Sequence, residues 1–151
     1  MATTLPAGAS MLDIDRLPWM GEKASISMKL LRVDPVGGEY TLYARMDAGT
    51  VLPRHRHFGP VDAWTIKGVW RYREYDWIAG PGAYVHEPPG STHTLEVGPD
   101  SEVVVLFIVR GGLVLLDEDD QIWGYEDWES MRDRYCAALR TDGHPEPVLL
   151  G

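Results

Sequence analysis

The sequence predicts an all-β fold, a sandwich or jelly roll of many short strands, completed by one C-terminal α-helix. Three observations carry this. Gly and Pro are frequent, 16 and 11 in 151 residues, and they are scattered as punctuation rather than clustered. Between them lie short runs rich in Val, Ile, Tyr, Trp and Thr, residue types that suit a pleated, half-buried surface. Helical periodicity is confined to a single stretch near the C-terminus.

Residues 1–23, with Pro6 and Pro18, show no period and read as an irregular N-terminal segment. Residues 24–124 read as the β region, and 125–151 as the helix and tail of the same domain. The strands expected in order are 26–33, 39–46, 62–67, 69–77, 83–87, 93–97, 102–109 and 113–116. Gly37-Gly38, Gly68, Gly80-Pro81-Gly82 and Pro88-Pro89-Gly90 separate them. Ile26, Met28 and Leu30 alternate with Ser27 and Lys29, as in a strand buried on one face. The 102–109 run is apolar on both faces and is expected between sheets or at a subunit interface. Trp128, Met131, Tyr135 and Leu139 recur at helical spacing, which predicts a helix over 126–139 ended by Gly143 and Pro145. The tail, 146–151, is expected to be ordered only where it docks on something.

Composition excludes several classes. Hydrophobic residues make up 44% and charged residues 25%, a globular balance that supports a core without disulfides. A net charge of −9 without any basic patch argues against nucleic acid as a partner. The one cysteine, Cys136, cannot form an intrachain disulfide and fits a reducing cytoplasm; it reads as a small apolar residue on the helix. The N-terminus has no apolar core behind a basic start, and the longest apolar run, 103–109, is far too short to span a bilayer. No membrane partner is expected.

The chemistry sits in two stretches. Residues 49–68 read G-TVLPR-H-R-H-FGP-V-DAWTIK-G. His55 and His57 are two apart on an extended segment, so both imidazoles point to one face and can share one metal ion. Residues 82–97 read G-AYVHE-P-P-G-ST-H-TLE-V. There the Pro88-Pro89-Gly90 turn can return His93 to the first pair. His86 falls on the opposite strand parity from Glu87 and reads as structural or exposed, and His144 as solvated.

These stretches resemble the two motifs of the cupin superfamily. The first is Gly, five residues, His-x-His, three or four residues, Glu, six residues, Gly; Gly49, His55, His57 and Gly68 fall on it. The second is Gly, five residues, Pro-x-Gly, two residues, His, three residues, Asn; Gly82, Pro88, Gly90 and His93 fall on it. The resemblance implies a double-stranded β-helix, the cupin jelly-roll barrel. Two positions depart from the pattern. Val61 stands where the Glu is usual, and Val97 where the Asn is usual. Asp62 could replace the Glu only by a one-residue register slip, which would turn it to the other face. A site of three histidines without a carboxylate is therefore expected.

Within the superfamily, R-H-R-H-x-G at 54–59, G-x-W-R-Y-x-E-x-D-W at 68–77 and E-P-P-G-x-x-H-T-L at 87–95 resemble the 2,4′-dihydroxyacetophenone dioxygenase family. The run at 55–60 and the Gly-rich exit into an acidic turn at 111–120 also resemble acetylacetone-cleaving dioxygenase. These resemblances imply Fe(II), with Zn, Ni or Mn as substitutes in recombinant protein, and molecular oxygen. They imply cleavage of a carbon–carbon bond beside a carbonyl in a chelating small molecule, and no organic cofactor. Glu87 is the expected supporting carboxylate, partnered by Arg71 or Arg73, which share a strand face. Trp64, Trp70 and Tyr72 are candidates to line a substrate pocket. Cupins of this type pair, so a homodimer or homotetramer is expected, with the 102–109 strand and the helix as interface elements. The competing reading is a metal- or ligand-sensing cupin of the anti-sigma-factor type; residues 1–23 are too short for the helical zinc domain such sensors usually add, and carry no Cys or His. A third is another metal-dependent reaction on the same scaffold.

Overall fold

The computed structural model describes residues 8–147 and 149–150; residues 1–7 of the predicted N-terminal segment and positions 148 and 151 of the tail lie outside them. Eleven strands, one α-helix and one short 3-10 helix, Ile14–Arg16, are present among the described residues. In chain order the strands are β1 (Ile26–Asp34), β2 (Glu39–Met46), β3 (His55–His57), β4 (Val61–Lys67), β5 (Trp70–Tyr72), β6 (Tyr84–Glu87), β7 (Thr92–His93), β8 (Leu95–Val97), β9 (Val103–Arg110), β10 (Leu113–Leu116) and β11 (Ile122–Glu126). The helix α1 is Trp128–Thr141.

The strands form a five-stranded sheet ordered β1-β2-β9-β4-β6, a four-stranded sheet ordered β11-β10-β3-β7 and a β5-β8 ribbon. Every strand pair is antiparallel. β2 shows why the alternation was readable: its residues are alternately half-buried and buried along its whole length. β9 lies centrally in the larger sheet. Val103, Val105 and Val109 enter the core, while Leu106 and Ile108 face outward and are half-buried.

Gly68 joins β4 to β5 at φ +77°, and a Cβ there would run into the Glu102 carbonyl, so this turn requires glycine. The predicted 69–77 strand is shorter than expected. It ends at Tyr72, because the chain turns there, with Tyr75 N donating to Tyr72 O, and then folds back so that Ala79 pairs Trp70. The predicted 93–97 strand is divided at Thr94. His93 pairs with β3 in one sheet, and Leu95 pairs with β5 in the ribbon.

α1 begins two residues later than predicted, because Asp127 caps it. The Asp127 carboxylate accepts from Ser130 N, and Ser130 Oγ accepts from Asp127 N. Its apolar stripe is used within the chain: Met131, Tyr135 and Leu139 pack into one core cluster with Leu30, Val33, Tyr40 and Val109. This removes the helix's apolar face as an interface element. The N-terminal segment is tied down through Tyr135 OH to Pro18 O at 2.9 Å and Lys29 Nζ to Ile14 O at 2.8 Å. The tail docks on β1, where Val33 N donates to Leu150 O at 2.9 Å.

Candidate metal centre

β3 is three residues long and carries both histidines of the first motif inward, with Arg56 outward. Gly59 ends it, and a Cβ there would strike the Arg110 carbonyl, so the chain can turn closely beneath β9 only with glycine. β7 pairs with β3 so that His55 lies directly opposite His93. Register and parity together gather His55, His57 and His93 on one inner face. Their rings lie 4.8 to 5.3 Å apart, and one ligand nitrogen from each lies within 4.8 Å of the others.

All three are buried. Burial holds the His57 imidazole down to about 3, against the partial offset of the Glu87 charge, and lowers His55 as well, so both are neutral at pH 7. His55 Nδ1 lies 2.8 Å from the Pro53 carbonyl, which fixes the Nδ1–H tautomer and leaves the Nε2 lone pair free.

Glu87 approaches from the other sheet. Its Oε2 lies 3.2 Å from His57 Nε2 and 3.4 Å from His93 Nε2, but neither contact has hydrogen-bond geometry. Tyr72 donates a short hydrogen bond to Glu87 Oε1 and stacks on His93 with centroids 3.6 Å apart at 11°. Burial, with the Glu87 charge beside it, keeps the Tyr72 phenol well above its ordinary pKa, so it stays a donor.

The donor set fits a cation. His57 Nδ1, both ring nitrogens of His93 and Glu87 Oε2 are buried without a hydrogen-bond partner. Each such group left unmade costs roughly 1–3 kcal/mol, and an ion held by one nitrogen of each histidine would relieve the nitrogen it takes on each ring.

The remaining expectations divide. Val61 is buried and inward, as the missing carboxylate requires. Asp62 does face out, where it binds Tyr84, His86 and Arg110. Arg71 and Arg73 do not partner Glu87: Arg71 on β5 and Arg73 just after it both pair with Glu96, at 2.9 Å and 2.7 Å. Trp70 is core, its Nε1 donating to Thr65 Oγ1 at 2.8 Å, and Trp64 lies on the outer face against Tyr84. Of the three pocket candidates only Tyr72 lines the internal cavity. Sequence reading missed Tyr40 and Glu126, which also line it; the inward parity of Tyr40 in β2 was the available signal. Among the described residues no helix is long and apolar enough to cross a membrane.

Comparison with known proteins agrees with this architecture. Residues 7–114 match the ChrR cupin-like domain family. The chain is similar to an RmlC-like cupin protein from Ralstonia eutropha JMP134, at 32% identity over 95% of each chain and a TM-score of 0.88. It shares its fold with an acetylacetone dioxygenase from Acinetobacter johnsonii, at 19% identity over 89% of this chain and 95% of that one, TM-score 0.76. It shares it more distantly with a chain of the Rhodobacter sphaeroides complex of SigE with the anti-sigma ChrR, at 15% identity over 64% of this chain and 51% of that one, TM-score 0.55. Comparison with curated proteins gives no match. The matched region covers most of the barrel and both histidine stretches, and on that ground the chain belongs to the cupins of the ChrR cupin-like domain family.

Proposed function

We propose that this protein is an Fe(II)-dependent dioxygenase that uses O2 to cleave the carbon–carbon bond beside a carbonyl in a chelating hydroxyketone or β-diketone. The observation that carries the reading is a buried set of three histidines with Val61 in place of the usual carboxylate, two of them, His55 and His57, lining an apolar cavity. His55, His57 and His93 would hold the ion. Fe(II) bound there would supply open coordination positions for a bidentate substrate and for O2, with its charge uncompensated by ligands and so favouring an anionic chelate. Glu87, held by Tyr72, would accept the proton that the substrate loses on binding. The cavity walls Leu42, Leu95, Phe107 and Val109 exclude water around the ketone. For R–CO–CH2OH the balance is one O2 in, R–COOH and formic acid out. The substrate supplies all four electrons, so no organic cofactor enters. A second copy in a homodimer or homotetramer would cover the outward stripe of Leu106 and Ile108 beside Trp64 and Ile66.

The test is anaerobic loading with Fe(II) followed by oxygen uptake across β-diketones, acyclic hydroxyketones and hydroxyacetophenones. Uptake is expected with at least one chelating ketone. Protein shown to hold Fe(II) that consumes no oxygen with any of them sinks the dioxygenase reading. The family match to the ChrR cupin-like domain favours a second reading, a non-enzymatic metal or ligand sensor, and Zn, Ni or Mn chemistry on the same histidines is a third. Metal content and this oxygen assay separate them.

A further inference from the structure

The histidine cavity has a second polar end. Tyr40 is fully buried and donates its hydroxyl to Glu126 Oε1 at 3.0 Å, and Arg134 on α1 pairs with Glu126 Oε2 at 2.6 Å. Strand register fixes where this pair sits. In the four-stranded sheet His57 lies opposite Leu113, and Leu113 opposite Glu126. In the five-stranded sheet Glu87 lies opposite Val61, Val61 opposite Val109, and Val109 opposite Tyr40. All seven side chains line the same cavity.

The two rows meet at both ends, Glu87 against His57 and Tyr40 against Glu126. They form a closed belt around the inside of the barrel. It is polar at two opposite points and apolar at Val61, Val109 and Leu113 between them. Two strand spacings, about 10 Å, separate His57 from Glu126.

Size and charge restrict what can span that gap. The cavity is small, ≈ 90 Å³. A compact acyclic molecule fits better than an aryl ketone. Arg134 offsets the Glu126 charge, so the far end calls for no cation. It offers acceptors, the Glu126 carboxylate and the Tyr40 oxygen, which suit a neutral hydroxyl. Two coordinate bonds of about 2 Å each, His57 to the ion and the ion to the substrate, and a hydrogen bond of about 2.8 Å at the far end leave roughly 3 Å, within the carbonyl-to-far-hydroxyl reach of a four-carbon chain.

We propose that the substrate is a compact, acyclic hydroxyketone with a second hydroxyl at the end away from the chelate, and that Tyr40 and Glu126 bind that hydroxyl. The proposal rests on the chelating-ketone reading above and narrows it. A hydrogen bond to a charged group discriminates by about ten- to a hundredfold.

The test uses Co(II)-substituted protein, whose visible spectrum reports chelation without turnover. It is titrated with 1,4-dihydroxybutan-2-one and with 1-hydroxypentan-2-one, which has the same number of heavy atoms but a methyl group in place of the far hydroxyl. The dihydroxyketone is expected to bind at least tenfold tighter. The preference should fall to within twofold in Glu126→Leu and by at least threefold in Tyr40→Phe, with 1-hydroxypentan-2-one affinity little changed. Equal affinities in the wild-type protein, or a preference that survives Glu126→Leu, overturn the proposal while leaving chelation intact. A spectrum unmoved by either ketone overturns the chelation reading with it.

Discussion

At the scale of single residues, strand parity decides which side chain reaches the histidine cluster. Val61 and Asp62 are neighbours, yet Val61 faces the cavity and Asp62 is held on the outer surface by Tyr84, His86 and Arg110. Tyr72 reaches Glu87, while Arg71 and Arg73 on either side reach Glu96. The three histidines contribute unequally to fixing the site. His93 is wholly buried, with both ring nitrogens unpartnered, and it is the member brought in from a second strand. His93→Ala leaves two histidines on one strand, so stoichiometric Fe(II) or Co(II) binding should be lost. Elemental analysis after desalting reads this directly, and full occupancy in the variant would mean that the ligand set is misassigned. The histidines were legible in the sequence because their spacing and turn residues are fixed locally. The partner of Glu87 was not, because sequence gives the alternation of β5 but not which of its faces meets β6.

Among the elements, β2 and α1 were legible for the same reason: each buries one face against a single layer, so its period survives in the sequence. β11 was missed because Ile122, Trp123 and Tyr125 are exposed and Gly124 packs against Leu115, which leaves no alternation of buried apolar residues. The short strands that bear the histidines were legible only through their motif spacing, since three residues carry no period. The start of α1 depends on a cap rather than on its stripe, and the cap is testable. The backbone hydrogen bond from Ser130 holds the Asp127 carboxyl below its ordinary range. A depressed folded-state pKa contributes stability that is present above the unfolded value near 4 and is lost as pH falls through the folded value. Asp127→Ala should therefore cost about 1 kcal/mol at pH 7. The difference from wild type should shrink at pH 3. Urea unfolding at both pH values measures it, and a gap that is the same at pH 3 and pH 7 would show that the carboxylate charge plays no part in the cap.

For the molecule as a whole, the candidate metal centre joins parts of the chain that are distant in sequence. β3 and β7 carry the three histidines, and β6 brings Glu87 from the opposite sheet to within 3.4 Å of two of them. None of these groups is gathered in the unfolded chain, so an ion that binds the folded state stabilises the whole barrel by mass action. Free metal at a hundred times its dissociation constant contributes about 2.7 kcal/mol. For a chain of this length each kcal/mol raises Tm by roughly 2–4 °C, so loading should raise Tm by about 5–10 °C. The buried orphan atoms strengthen the expectation, because the metal-free protein carries their desolvation cost without any compensating bond. Calorimetry on chelator-treated and reloaded protein checks it, with His93→Ala as the control expected to show no shift. Were the ion bound loosely at the surface, away from the belt that closes the two sheets, reloading would leave Tm unchanged, and the histidines would then have to be satisfied by some means other than a metal.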